Sequence, residues 1–303
     1  MDEAVFVFPG QGTQTIGMGA DLARDFTEAR MVFEEVDDAL NTRLSNLMFN
    51  GDASELTQTQ NAQPAIMAVS MAVWRVLEKQ GLKVSAVAGH SLGEYSALCA
   101  AQVLSLSDTA KLLQQRGRAM AHACTQGKGG MLALLGATLE QAKEVAKSAG
   151  CFVANDNAPG QIVLSGYLDA LDKAKEIAGK MCIKRAISLK VAGGFHSPLM
   201  QSAADEMSVI LNKTLFSVPQ IPVYFNVTAS IENNPADYAD LLTEQITAPV
   251  RWRELIQNTR SNCFVECGIG AVLAGLIQRI VPDAKIRSVG TTDDVKSLLR
   301  GEK

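Results

Sequence analysis

The sequence predicts an α/β protein built on a mostly parallel sheet, with a small ferredoxin-like unit inserted into it. Three observations lead there. Short apolar or β-branched runs alternate with longer segments of helical periodicity, the rhythm of strands joined by crossover helices. Between residues 129 and 191 that rhythm changes to β-α-β-β-α-β, the order of a split βαβ unit. Hydrophobic residues make up 47% of the 303 positions, enough to bury a large core.

AVFVFPGQG (4–12) reads as a buried strand running into a glycine-rich loop, with a helix expected near 17–26. PAIMAVSMAVWRVLEKQG (64–81) has strong helical character, with Pro64 suited to a first turn and Gly81 to a C-terminal cap. VSAVAG (84–89) is short, small and β-branched, which suits a buried strand. LGEYSALCAAQVL (92–104) sets Leu92, Leu98, Cys99 and Val103 at helical spacing, and another helix is expected near 107–122, opened by Ser107 and Asp108. In the central unit, GMLALLG (130–136), CFVAN (151–155), IVLSG (162–166) and KRAISLKV (184–191) read as strands, with DNAPGQ as the turn between the middle two. TLEQAKEVAKSAG (138–150) and YLDALDKAKEIAGKM (167–181) read as its helices. The outer pattern resumes with PVYFNVT (222–228), then CFVEC (263–267) leading through Gly268 and Gly270 into AVLAGLIQRI, then IRSVG (286–290). Tight βα packing suits the GIG stretch better than a phosphate cradle. The expected division is 1–128 with 192–303 as the catalytic domain and 129–191 as the inserted subdomain.

Net charge is −4 and the pI about 5.5, with no basic run interleaved with aromatics, so nothing favours nucleic acid. Six cysteines include no CxxC, and Cys263 with Cys267 alone makes weak metal-site evidence; buried free thiols in a reducing compartment are expected. MDE before AVFVF lacks the basic n-region of a signal peptide, and no apolar run reaches membrane-spanning length. A cytoplasmic protein with no membrane association is the expectation.

The chemistry centres on GHSLGEYSA (89–97), which contains Gly-x-Ser-x-Gly. A strand precedes it and a helix follows, the setting of a nucleophile elbow, in which Ser91 stands exposed on a strained turn near a helix N-terminus. The alternative is an unreactive βα turn. A serine nucleophile needs a base, and the chain has three histidines. His90 sits inside the turn, where its ring is poorly placed to reach back to the hydroxyl. His122 ends a helix and suits a surface or capping role. His196, in VAGGFHSPLM, lies in a loop after a strand, where a base belongs, although a capping or core histidine fits the same pattern. Asp156 and Asp169 precede it, but neither has the context of a third triad member, so the third member is either absent or a neutral acceptor such as a backbone carbonyl. Arg116, in KLLQQRGRAM, reads locally as a solvated helix residue on a helix whose apolar face is Leu112, Leu113 and Met120. Turned into a cleft, its fork would suit a carboxylate.

FPGQGTQTIGMG (8–19), NAQPAIMA (61–68), AGHSLGEYSAL (88–98), RGRAM (116–120), NAPGQIVLSG (157–166), GGFHSPLM (193–200) and PVRW (249–252) occur in that order. Over essentially the whole chain they resemble the malonyl-CoA:acyl carrier protein transacylases of fatty acid synthesis. The resemblance implies an α/β-hydrolase-like core carrying a ferredoxin-like insert. It implies Ser91 as nucleophile, His196 as general base, and the backbone N–H groups of Gln11 and Leu92 as the oxyanion hole. It implies that Arg116 grips the malonyl carboxylate, that Gln63 lines the cleft, and that the main-chain carbonyl of Gln245 orients the histidine. The substrates implied are malonyl-CoA and the phosphopantetheinylated acyl carrier protein, without metal or organic cofactor. Ala62 stands where many members have Thr and Ile269 where Pro is usual; neither touches the reacting groups. Phe195 and Leu92 resemble members that take malonyl rather than methylmalonyl groups. Lys184, Arg185 and Lys190 are candidates for receiving an acidic carrier, against a plain solvated edge strand. Other readings are a serine hydrolase or thioesterase, a non-catalytic scaffold, a freestanding polyketide acyltransferase, and the acyltransfer subunit of malonate decarboxylase.

Overall fold

The computed structural model describes residues 3–125 and 129–301. Its strands are β1 (Ala4–Phe8), β2 (Val84–Gly89), β3 (Gly129–Leu135), β4 (Phe152–Ala158), β5 (Gln161–Tyr167), β6 (Arg185–Ser188), β7 (Val223–Tyr224), β8 (Cys263–Cys267) and β9 (Lys285–Val289). They form two sheets. A five-stranded sheet in the order β7-β2-β1-β8-β9 is parallel throughout. A four-stranded sheet in the order β4-β5-β3-β6 is antiparallel throughout, with two helices (Leu139–Ala149 and Leu168–Lys180) packed through one apolar layer, as in a ferredoxin-like unit. The fold class is therefore the mixed α/β one the sequence predicts. The 128/129 domain boundary falls at Lys128, outside the described residues.

Strand β1 shows why the parallel sheet reads as a continuous apolar run. Phe6 and Phe8 enter one hydrophobic core while Val5 and Val7 enter another on the opposite face, so both faces are covered. Trp74 packs edge-on against Phe6 and Phe8, with ring centroids 5.4 Å and 6.0 Å away. It belongs to the helix Thr59–Lys79, which is apolar on nearly all sides and lies buried against the helices Thr27–Leu40 and Leu106–Thr125.

The structure moves several element ends. That long helix starts at Thr59, so Pro64 falls inside it rather than in its first turn. Helices Thr27–Leu40, Leu44–Asn50 and Ala53–Thr57 fill a stretch for which no element was expected. The expected DNAPGQ turn shrinks because β4 runs on to Ala158. β7 has only two residues, because the chain turns back after it: the N–H of Ala229 bonds to the Phe225 carbonyl, and Asn226 faces the elbow. Cys182 is exposed and Cys124 and Cys263 are partly so, which narrows the expectation of burial to Cys99, Cys151 and Cys267.

Two glycines let β2 and the next helix approach β1. A Cβ on Gly93 would lie 2.2 Å from the Phe8 carbonyl oxygen, and one on Gly89 would lie 1.9 Å from the Gly93 backbone. Gly93→Ala therefore forces backbone apart and should destabilise by about 3 kcal/mol, lowering Tm by roughly 6–12 °C in a melting experiment. Gly179→Ala, where a Cβ meets nothing within 4 Å, is the control and should leave Tm unchanged or slightly raised.

Candidate active site

Between the end of β2 and the helix Gly93–Ala100 the chain turns at Ser91, whose φ of 55° lies in the left-handed region. Hydrogen bonds fix that turn from every side. The His90 N–H donates to the Phe8 carbonyl at 3.0 Å, and the Gly93 N–H to the His90 carbonyl at 3.0 Å. Asn226 spans the turn with its side chain: Oδ1 accepts the Ser91 N–H at 2.8 Å and Nδ2 donates to the Gly89 carbonyl at 2.7 Å. Its own backbone N–H donates to Glu94 Oε2 at 2.5 Å. Ladder pairing of β2 with β7 stops at Ala88 and Tyr224, so the Asn226 amide continues it by side chain.

His196 arrives on the segment that follows β6. Ser165 of β5 donates to the Phe195 carbonyl at 2.5 Å, which seats the loop on the antiparallel sheet, and the Ser197 hydroxyl donates within the loop to the Gly194 carbonyl at 2.6 Å. His196 Nε2 lies 2.8 Å from Ser91 Oγ, and Nδ1 lies 2.9 Å from the Gln245 carbonyl oxygen. A carbonyl only accepts, so the ring proton sits on Nδ1 and the lone pair on Nε2 faces the hydroxyl. Gln245 thus supplies the neutral acceptor that an acid would supply in a triad. Asp156 is engaged elsewhere, in a bidentate pair with Arg253 whose closest contact is 2.8 Å, and Asp169 is exposed. His90 points away to Asn157 Oδ1 at 2.8 Å and packs against Trp252, and His122 is exposed.

Arg116 corrects its local reading: it is 1% exposed, not solvated. Nη1 donates to Gln63 Oε1 at 2.9 Å, and Nη2 to Gln245 Oε1 at 2.8 Å and Ser91 Oγ at 3.2 Å. None of these partners carries a charge, and the Nε donor is buried without a hydrogen-bond partner among the described residues. The guanidinium lies 5.8 Å from the Tyr95 ring centre. Gln63 is buried beside it and also donates to Met120 Sδ. Leu92 opens the helix after Ser91, where an N–H has no intrahelical partner. Gln11 lies in the turn after β1, and that turn presses on the elbow: a Cβ on Gly10 would sit 2.9 Å from the His90 carbonyl oxygen.

Ser91, His196, Arg116, Gln63 and Gln245 thus meet at one site, with Leu92 and the turn that carries Gln11 beside it; Asp156, Asp169 and His122 lie elsewhere, and Lys184, Arg185 and Lys190 are exposed on and around edge strand β6. Sequence reasoning missed Asn226 and Glu94. Glu94 lies within the quoted elbow motif as an acid on an otherwise apolar helix, and Asn226 ends a strand-like run; those were the available signals. A cavity of about 920 Å³ opens among Leu82, Phe264, Ile286 and Leu298 and holds none of these groups.

Burial governs the titration. It is the main cause, with nearby Arg116 second, that pushes His196 down to about 3. Burial lifts the Glu94 carboxyl to about 8. No group of three or more His, Cys, Asp or Glu arranged to hold a metal occurs among the described residues.

A half-buried serine hydroxyl between an imidazole and an arginine, at the turn of a parallel α/β sheet, suits acyl-group chemistry. Residues 5–296 match the acyl transferase domain family, and the class is acyltransferase. The malonyl CoA-acyl carrier protein transacylase of Bacillus subtilis (strain 168) is 40% identical over 97% of this chain and 94% of its own. The solved acyl-carrier-protein-S-malonyltransferase of Bartonella henselae is 48% identical, with a TM-score of 0.95 and 99% coverage of both chains. A malonyl-transacylase solved in complex with its type II PKS acyl-carrier protein is 37% identical, with a TM-score of 0.94 over 99% of this chain and 100% of that one. The chain belongs to the malonyl CoA-acyl carrier protein transacylase family.

The His196 shift sets a pH dependence. Because the folded protein disfavours the imidazolium, the unfolded chain binds the extra proton between pH 6.5 and about 3. Its contribution to stability is therefore complete above 6.5 and is lost as pH falls through that window. NMR of the His196 ring should show no titration between pH 8 and 5, and Arg116→Met, by removing a neighbouring positive charge, should raise the midpoint.

Proposed function

We propose that Ser91 and His196 carry out malonyl transfer from malonyl-CoA to the phosphopantetheine thiol of acyl carrier protein by a ping-pong route. The observation that supports this most is the 2.8 Å contact of Ser91 Oγ with the unprotonated nitrogen of a buried histidine. Ser91 Oγ attacks the thioester carbonyl while its proton passes to His196 Nε2. The carbonyl π electrons move onto oxygen, where the N–H groups of Gln11 and Leu92 stabilise the oxyanion, each by roughly 3–4 kcal/mol. Collapse breaks the C–S bond, His196 returns its proton to the CoA sulfur, and malonyl-Ser91 remains. The carrier thiol then repeats the sequence in reverse, so Ser91 is regenerated and malonyl-carrier leaves, the extending donor for fatty acid synthesis. No metal or organic cofactor enters this scheme.

Arg116 pairs with the free carboxylate of the malonyl group. Its buried charge has only neutral hydrogen-bond partners on the protein, so an acetyl group leaves it without an ionic one, while malonate completes a charge-assisted pair. Phe195 and Leu92 favour malonyl over methylmalonyl. Lys184, Arg185 and Lys190 receive the acidic carrier. The chain divides into a catalytic domain (1–128 and 192–303) and an inserted subdomain (129–191) that brings up the base. No helix among the described residues is long and apolar enough to cross a membrane. The buried thiols Cys99, Cys151 and Cys267 suit a reducing, cytoplasmic setting.

Intact-protein mass after brief incubation with malonyl-, methylmalonyl- or acetyl-CoA, followed by peptide mapping, tests the scheme. A malonyl adduct on Ser91 is expected, with little from the other two and none in Ser91→Ala. Steady CoA release without an adduct would instead mean a hydrolase. Arg116→Ala should lower kcat/KM for malonyl-CoA by about 100-fold while changing acetyl-CoA far less. Charge reversal at Lys184, Arg185 and Lys190 should raise the carrier KM and spare malonyl loading; unchanged carrier kinetics would remove that surface from the scheme.

A further inference from the structure

Gln245 meets the reacting groups with three different atoms. Its backbone carbonyl holds His196 Nδ1 at 2.9 Å, its Oε1 accepts from Arg116 Nη2 at 2.8 Å, and its Nε2 donates to the Ser91 carbonyl at 3.0 Å. The side chain is fully buried at the end of the helix Tyr238–Glu244. We propose that the Gln245 side-chain amide couples recognition of the substrate carboxylate at Arg116 to the oxyanion donor on the Ser91–Leu92 peptide. This rests on the roles of Arg116 and Leu92 given under the proposed function.

The chemistry of the partners dictates the amide's orientation. A guanidinium only donates, so Oε1 must face Arg116; a carbonyl only accepts, so Nε2 must face Ser91. Glutamate would present two acceptors and methionine would present neither polar group. The Ser91 carbonyl and the Leu92 N–H belong to one planar trans peptide and point in opposite directions. A donor fixed on the Ser91 oxygen therefore fixes where the Leu92 N–H is aimed. Arg116 Nη2 divides its two N–H groups between Gln245 and Ser91 Oγ, the latter at a longer 3.2 Å. An arriving carboxylate competes for the guanidinium, draws it from the hydroxyl, and shifts the Gln245 amide with it. Acetyl thioesters make no such demand, so the relay acts on malonyl transfer and not on acyl transfer in general.

The test is a double-mutant cycle read by rapid-quench acylation of Ser91, with malonyl-CoA and acetyl-CoA, in the parent chain, Gln245→Met, Arg116→Met and the double variant. The backbone carbonyl that holds His196 remains in all of them. Gln245→Met should slow malonyl acylation about tenfold more than acetyl acylation, and in the Arg116→Met background should change malonyl acylation by less than about twofold. Equal slowing with both thioesters, or single effects that multiply in the double variant, would overturn the coupling and leave Gln245 as an independent support of the turn. If Gln245→Met lowers Tm enough to obscure the rates, Gln245→Glu takes its place in the same cycle, since it keeps an acceptor for Arg116 and loses the donor to Ser91. Failure of the transfer scheme itself appears separately, as a parent chain that malonyl-CoA does not acylate.

Discussion

Ser91 holds a backbone conformation, φ 55°, that an L-residue adopts at a cost of about 1–3 kcal/mol, and the surrounding structure is arranged to keep it there. Gly89 and Gly93 allow the backbone on either side to touch, and Asn226 ties the N–H of Ser91 to the carbonyl of Gly89. Glu94 in turn holds the backbone of Asn226. The parallel sheet fixes β1 and β2 in register, so the Phe8 carbonyl meets the His90 N–H. Release of any of these would let the serine relax toward ordinary turn geometry and carry its hydroxyl away from the imidazole.

A second constraint is electrostatic. Arg116 places a positive charge in a buried site, and the same low-dielectric surroundings disfavour an imidazolium on His196 and an ionised Glu94. An imidazole that stays neutral and accepts from the serine hydroxyl is the outcome. The buried arginine is stable because each neutral acceptor around it, Gln63 and Gln245, contributes a hydrogen bond to a charged donor, about 1.5–3 kcal/mol in comparable cases.

The strands were legible because their burial leaves a signature in residue type: CFVEC matches β8 residue for residue, and the β-α-β-β-α-β order is the one seen. Ser91 and His196 were legible because a turn flanked by a strand and a helix leaves few places for a serine, and two of three histidines were badly placed. Arg116 was hidden. Nothing in KLLQQRGRAM says which face of a helix turns inward when residues on both faces are buried, and only the likeness to other transacylases marked it. Asn226 was hidden for another reason: its partners, Gly89 and Ser91, lie more than 130 residues away, and a strand of two residues carries too little periodicity to say where it ends. The helix Thr27–Leu40 did carry a signal, since Ala29, Val32, Phe33 and Val36 recur at helical spacing on its buried side.

The serine and the histidine belong to different sheets. Ser91 rises from the parallel sheet, whereas His196 rests on the antiparallel one through the bond from Ser165 to the Phe195 carbonyl. Between the sheets run the backbone pairing of Asn155 with Val250 and the carboxylate–guanidinium clasp of Asp156 with Arg253. The reactive pair is therefore a strain gauge across a seam. Slippage too small to melt either sheet still parts hydroxyl from imidazole, so mild denaturant will silence the enzyme while its circular dichroism still looks native.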